Sequence, residues 1–443
     1  MTRDIDGFPH DRLRWLIGIE DTCVQPSPGS TMGPLNEFAL TGHDVHWRSD
    51  LATAAALATG LRYGVSWPLV HVAPGRFDWS VLDERLDVAV REHGLTVLAD
   101  LVHYGTPTWL DGSFADERFP EALAEFAAAF AERYRGVVDH ITPLNEPLTT
   151  ASFCGLRGVW PPALTGWDGW STVTTGIARG VQRAIAAVRT ANPDAVIVHV
   201  EASAIYETAD PALAEEVELL RALSTLPTDL ILGRVGEEHP LHPWLIGNGV
   251  PAAHLAELGA GAPVIDIMGV NYYPDLTPRI LERVDGTVRQ ITANRWDAGL
   301  RAVLRAWQAR YGLPMVVTET SIEGTERVRR EWLEAATDTV RELHRDGVDV
   351  RGLTWWPLLD FVDWSFASGG RNVEEFVLRP ESASDATAET FAPTGQGITP
   401  FLRRMGLITL SEEADGALSR AETEAVGVFP REAAHIAPKD VTR

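Results

Sequence analysis

Residues 314–321 read Pro-Met-Val-Val-Thr-Glu-Thr-Ser. An apolar run without polar alternation fits a parallel strand buried on both faces. This one runs straight into a carboxylate, Glu319. Residues 140–147 repeat the form as His-Ile-Thr-Pro-Leu-Asn-Glu-Pro and end on Glu146. A carboxylate at the end of such a strand is costly to bury unless it is paired or used. Six more short runs rich in Val, Ile and Leu lie around these two, at 13–19, 61–66, 96–101, 195–201, 265–271 and 350–356. Helical patterns separate most of them, for example at 80–94, 120–134 and 172–191. Asn192-Pro193-Asp194 makes a turn before the fifth run. Eight strand–helix alternations predict a closed (β/α)8 TIM barrel of the α/β class, a single catalytic domain with elaborated loops. The alternative is an open doubly wound sheet, but no G-x-G-x-x-G follows a strand.

The barrel is expected over residues 1–380 and a C-terminal extension over 381–443. Residues 380–390, Pro-Glu-Ser-Ala-Ser-Asp-Ala-Thr-Ala-Glu-Thr, are small, polar and acidic, and predict a flexible connection. The long gap between the fifth and sixth runs predicts a loop that walls the site and carries His239, His242 and Trp244.

The net charge of −24 excludes a nucleic-acid groove or an anionic membrane surface as the expected partner. No run approaches the ~18 apolar residues of a membrane span. Two cysteines are too few for a disulfide scaffold, and the first residues lack a signal-peptide pattern, so a cytoplasmic protein is expected. The 15 tryptophans exceed what a core of this length needs. Indole faces stack on the apolar faces of sugar rings, although core packing is the commoner use of any one Trp.

In a barrel of this kind the working groups sit at the C-terminal ends of the strands. Glu146 and Glu319, on strands four and seven, then face each other across its mouth. Glycoside hydrolysis needs such a pair: one carboxyl to protonate the leaving oxygen, the other ionised to attack the anomeric carbon. A separation of roughly 5 Å would give retention of configuration. Arg62, inside the second strand, should pair with Glu319 and depress its pKa. His103 after the third strand is placed to meet a sugar hydroxyl, and Tyr273 after the sixth to steady the nucleophile. After the eighth, Trp356 can floor the sugar ring, with Asp363 and Trp364 on its hydroxyl edge. No zinc spacing is present among His and Cys, and neither metal nor cofactor is expected.

These residues resemble the family 1 glycoside hydrolases, the β-glucosidase and β-galactosidase group, over about residues 15–366. The family's Asn-Glu-Pro stands as Asn145-Glu146-Pro147. Its Thr-Glu-Asn-Gly stands as Thr318-Glu319-Thr320-Ser321. Its second-strand Arg falls on Arg62, its third-strand His on His103, and its Asn-Tyr-Tyr on Asn271-Tyr272-Tyr273. Its final Trp…Glu-Trp stands as Trp356…Asp363-Trp364. The resemblance implies Glu146 as acid/base, Glu319 as nucleophile, and Arg62, Asn145 and Tyr273 in support. It implies sugar contacts from His103, Tyr104, Asn271, Trp356, Asp363 and Trp364, and from Gln25, seven residues after Gly18. The departures are Thr320-Ser321, Tyr104 for Trp, and Asp363 for Glu, all at positions that read hydroxyls. Glu37, His43, His46 and Trp47 are further candidates. The implied protein is a retaining exo-β-glycosidase with a small carbohydrate substrate. The rivals are a transglycosidase, a 6-phospho-β-glycosidase or a non-catalytic sugar-binding barrel. A basic cluster around Arg371 would favour the phospho-sugar, but Glu374 and Glu375 follow it.

Overall fold

The computed structural model describes residues 5–27, 29–30, 32–284, 286–370, 377–379 and 397–430. Eight parallel strands close a barrel: β1 (Arg14–Gly18), β2 (Gly60–Gly64), β3 (Thr96–Asp100), β4 (His140–Thr142), β5 (Val196–Ala202), β6 (Ile267–Asn271), β7 (Met315–Thr320) and β8 (Val350–Trp355). Each pairs with its neighbour in sequence. β8 closes on β1, with Arg14 opposite Gly352 and Ile17 opposite Trp355. These are the eight expected runs. Every residue of β1, β2, β6, β7 and β8 is buried, because side chains fill the barrel on one face and helices cover the other. That double burial removes the alternation a half-exposed strand would show.

Between the strands run α1 (His43–Leu57), α2 (Ser80–Asp87), α3 (Phe119–Arg133), α4 (Gly166–Ala191), α5 (Ala214–Ile231), α6 (Trp296–Tyr311) and α7 (Glu326–Arg345). Helix α4 starts at Gly166, earlier than the expected 172. Its first turns hold Gly166 and Gly169, which lower helix propensity and disguise the start. Packing requires Gly169: a Cβ there would lie 2.3 Å from the Gly155 carbonyl oxygen. The 202–263 gap holds a strand (Ile205–Glu207), helix α5 and two short helices (His242–Gly247 and Ala252–Ala260) rather than one long loop. The strand joins a small outer sheet with Pro278–Val284, Thr287–Thr292 and Val377–Arg379. No helix is long and apolar enough to cross a membrane among the described residues.

Beyond β8 the chain returns to the barrel. Leu402–Arg403 pairs antiparallel with Phe361–Val362, and Ile408–Glu412 forms a hairpin with Leu418–Glu422. Asp360, fully buried, is the clamp. Its carboxylate accepts from the backbone of Gly406 at 3.0 Å and Leu410 at 3.2 Å, and pairs with Arg329 at 3.2 Å and Arg404 at 2.8 Å. Residues 380–390 and the Arg371, Glu374 and Glu375 cluster lie outside the described residues.

Asp360→Ala would leave the buried Arg329 without its carboxylate and is expected to cost about 3–5 kcal/mol. Urea unfolding should show a lowered midpoint at unchanged slope. A loss under about 1 kcal/mol, the worth of an exposed pair, would show that the clamp is dispensable.

Candidate active site

Glu319 closes β7 and is 3% exposed. Glu146 follows β4 in a left-handed conformation, φ 43°, with Pro147 next in the chain. Such a backbone costs a non-glycine residue on the order of 1–3 kcal/mol. It is held in place by the Glu146 N–H donating to Val200 O on β5 at 3.1 Å. The sequence Asn-Glu-Pro therefore turns the chain sharply off the barrel rim and aims the carboxyl inward.

Arg62, on β2 and fully buried, ion-pairs with both Glu319 and Asp100. It also donates to Asn145 Oδ1 at 2.8 Å. The Tyr273 hydroxyl donates to Glu319 Oε2 at 2.6 Å. Among the described residues the donors to Glu146 are neutral: Asn271 Nδ2 at 2.7 Å and the Tyr104 hydroxyl at 2.7 Å. Asn145 Nδ2 donates to the Tyr104 oxygen at 3.1 Å. A chain of contacts thus runs from Glu319 through Arg62, Asn145 and Tyr104 to Glu146. Tyr104 sits at φ 71°, another left-handed non-glycine, packed on His103, Trp160 and Trp364.

Burial pushes the Glu319 carboxyl up to about 7, although Arg62, His103 and Tyr273 pull it down. Arg62 does lower it, as expected, but burial and the neighbouring Glu146 raise it by more, so the net depression expected from the sequence is overturned. Burial opposes charging of His103, yet Asp21 at 2.6 Å and Asp100 at 3.2 Å hold it well above the usual histidine range. Burial also raises the Tyr104 and Tyr273 phenols well above normal, with Glu146 and Glu319 beside them. Both remain donors at neutral pH. Asp21, Asp100 and His103 place three ligand-type atoms within 4.8 Å of one another. Asp100 pairs with Arg62, and both aspartates pair with the imidazole.

A cavity of about 80 Å³ brings together Glu146, Glu319, His103, Tyr104, Tyr273, Trp356 and Trp364. The Trp356 ring fits because Gly18 opposes it; a Cβ there would lie 1.9 Å from the ring. Arg62, Asn145 and Asn271 stand behind these groups as hydrogen-bond partners, and Asn271 also lines a larger adjoining cavity. Two expected contacts fail. Gln25 is not in the cavity wall; it lies against Cys23 instead. Asp363 is also absent from the wall, since its carboxylate accepts from Ser365 N at 2.9 Å and pairs with Arg403 at 3.0 Å. Being one methylene shorter than Glu, it is held back by those partners.

Glu20 stands where Gln25 was expected. It lines the cavity and accepts from Trp356 Nε1 at 2.8 Å. The signal was present: Glu20 is a carboxylate just past an apolar strand, as Glu146 and Glu319 are. Arg403 and Met405 also line the cavity, delivered by the returning segment after β8, and no local pattern marked them. Glu37, His43, His46 and Trp47 are not in the wall: Glu37 accepts from Val362 N at 3.1 Å, and His43 bridges Asp50 and Tyr63. His239 and His242 are likewise absent from both walls, while Trp244 backs Trp167 and Trp170.

Residues 36–234 match the sequence model of Glycosyl hydrolase family 1. The chain is 23% identical over 368 residues to beta-glucosidase A of Thermotoga maritima, covering 76% of this chain and 82% of that protein. It is 22% identical over 409 residues to an aryl-phospho-beta-D-glucosidase of Bacillus subtilis, covering 76% and 81%. A beta-galactosidase of Sulfolobus acidocaldarius is 24% identical over 316 residues, covering 62% and 60%. In fold the chain is similar to the family 1 β-glucosidase of Thermotoga maritima, with a TM-score of 0.72 at 17% identity over 94% of this chain and 96% of that one. With the strand-end motifs in family order around one cavity, the chain is similar to glycosyl hydrolase family 1, most directly over residues 36–234.

Proposed function

We propose that the protein is a retaining exo-β-glycosidase acting on small β-glycosides, with Glu146 as acid/base and Glu319 as nucleophile. One observation carries this reading: two carboxyls face one cavity with opposite support. Glu319 is tied to the permanent cation Arg62 and to Tyr273. Among the described residues Glu146 meets neutral donors, Tyr104 and Asn271, and no cation. The unequal partners support this division of roles.

In the first step Glu146 gives its proton to the glycosidic oxygen as Glu319 attacks the anomeric carbon. The carbon–oxygen bond to the leaving group breaks and an ester to Glu319 forms. Glu146, now ionised, takes a proton from water, which attacks the same carbon and frees Glu319. Arg62 stays charged throughout. Trp356 offers a face for the sugar ring, and His103 and Glu20 offer a donor and an acceptor for its hydroxyls. The small volume of the cavity favours a single sugar, hence exo action. The names of the relatives favour a β-glucoside or β-galactoside. A cytoplasmic site of action is in keeping with two cysteines that are both unpaired and buried.

A panel of p-nitrophenyl glycosides tests the reading. Wild type should release nitrophenol from a β-glycoside. Glu319→Ala should be inactive and should regain turnover with azide, giving the α-glycosyl azide; a folded variant without rescue would remove Glu319 from its role. Glu146→Gln should lose on the order of 10²–10⁴-fold on poor leaving groups, and far less on dinitrophenyl glycosides, which need no proton.

The nucleophile works ionised, so kcat/KM should fall as pH drops through about 7. Tyr273→Phe removes a donor to that carboxylate and should move the acid limb to higher pH. An unmoved limb would show that this phenol acts on packing alone.

A further inference from the structure

Beside the sugar-sized cavity lies a second of about 240 Å³ that shares Glu146, Tyr273, Leu276 and Trp364 with it. Glu146 stands between the two, so a group leaving from the first enters the second. Its wall joins a large apolar share to hydroxyl and amide side chains such as Thr149, Ser203, Ser224 and Gln290. Leu148, Leu156, Leu220, Leu223 and Leu276 line it, and leucines satisfy no hydroxyl. Trp167 and Trp170 stand at 76° to each other, backed by Trp244.

The charge of this cavity is also unlike the rest of the molecule. The chain carries −24. Yet the charged residues lining the cavity are two arginines, Arg157 and Arg279, against Glu146 alone. Arg157 lies over the Phe153 ring, 4.4 Å from its centroid. Arg279 is half-buried on the outer sheet, opposite Tyr206, with Gln290 on the neighbouring strand beside Leu281. Arg279 makes no ion pair among the described residues, whereas Arg283 and Arg295 nearby are each paired with an acid. A guanidinium kept without a carboxylate at an apolar wall is set to receive one from a ligand.

Resting on the glycosidase reading, we propose that the leaving group is a large apolar or aromatic aglycone bearing an anionic substituent, and that Arg279 is the residue that selects it. The rings and leucines would take up the apolar body. Arg279 would pair with the acid at the far side from Glu146, and Gln290 would donate beside it. Dividing the cavity this way also keeps the anion apart from the catalytic carboxyls, which would repel it.

The test uses the full chain and three β-glycosides of the sugar selected by the p-nitrophenyl panel: methylumbelliferyl, its carboxymethyl counterpart, and dinitrophenyl. A disaccharide of the same sugar serves as the polar alternative. The reading is the ratio of kcat/KM, acid over neutral coumarin, within each protein, so a loss of folded fraction cancels. Wild type should favour the acid by at least about tenfold, the worth of one charge-assisted hydrogen bond. Arg279→Gln should bring the ratio near one, and Arg157→Gln should lower it less. A wild-type ratio of one or below overturns the proposal. So does a preference that survives Arg279→Gln, or a disaccharide cleaved faster than the neutral coumarin glycoside. Silence on every substrate including dinitrophenyl would instead overturn the glycosidase reading itself, and this proposal with it.

Discussion

A guanidinium buried at the centre of a barrel has no water to share its charge, so protein anions must surround it. Arg62 meets this demand with Glu319 on one side and Asp100 on the other, and with Asn145 as a neutral acceptor. The arrangement ties β2 to β3, β4 and β7 in one contact set. It also explains why acids can crowd this end of the barrel at all. Asp21 and Asp100 both pair with His103, so the strand ends form one linked layer of charges beneath the cavity. Taking away the cation would strand several buried carboxylates together.

The same layer divides the work of the two catalytic carboxyls. A direct ion pair anchors Glu319, while Glu146 receives the cation's influence only through Asn145 and the Tyr104 phenol. Tyr104 is the departure that makes the link. An indole at this position would place its N–H elsewhere, whereas a phenol accepts from Asn145 and donates to Glu146 with one oxygen. The strained backbones at Tyr104 and Glu146 are held by the partners that fix this geometry, as strain at working sites usually is.

The segment after β8 belongs to the same design. Asp360 draws it back against the barrel, and its arrival brings Arg403 and Met405 to the cavity wall. Arg403 also holds Asp363 away from the cavity. One substitution on the rim, a shorter acid, is therefore coupled to a residue some forty positions later in the chain.

The barrel was legible in the sequence because its signals are local. Eight apolar runs carry the mark of two-sided burial, and the carboxylates that end strands four and seven declare themselves by their cost. Arg62, His103, Tyr273, Trp356 and Trp364 could be placed because each stands a fixed short distance from a strand end. Gln25 and Asp363 were misplaced because spacing along the chain says nothing about how a loop bends once it leaves its strand. Glu20, Arg403, the Tyr104–Glu146 bond and the height of the Glu319 pKa depend on which distant groups meet and how much water they exclude. Those are properties of packing, and only the closed barrel decides them.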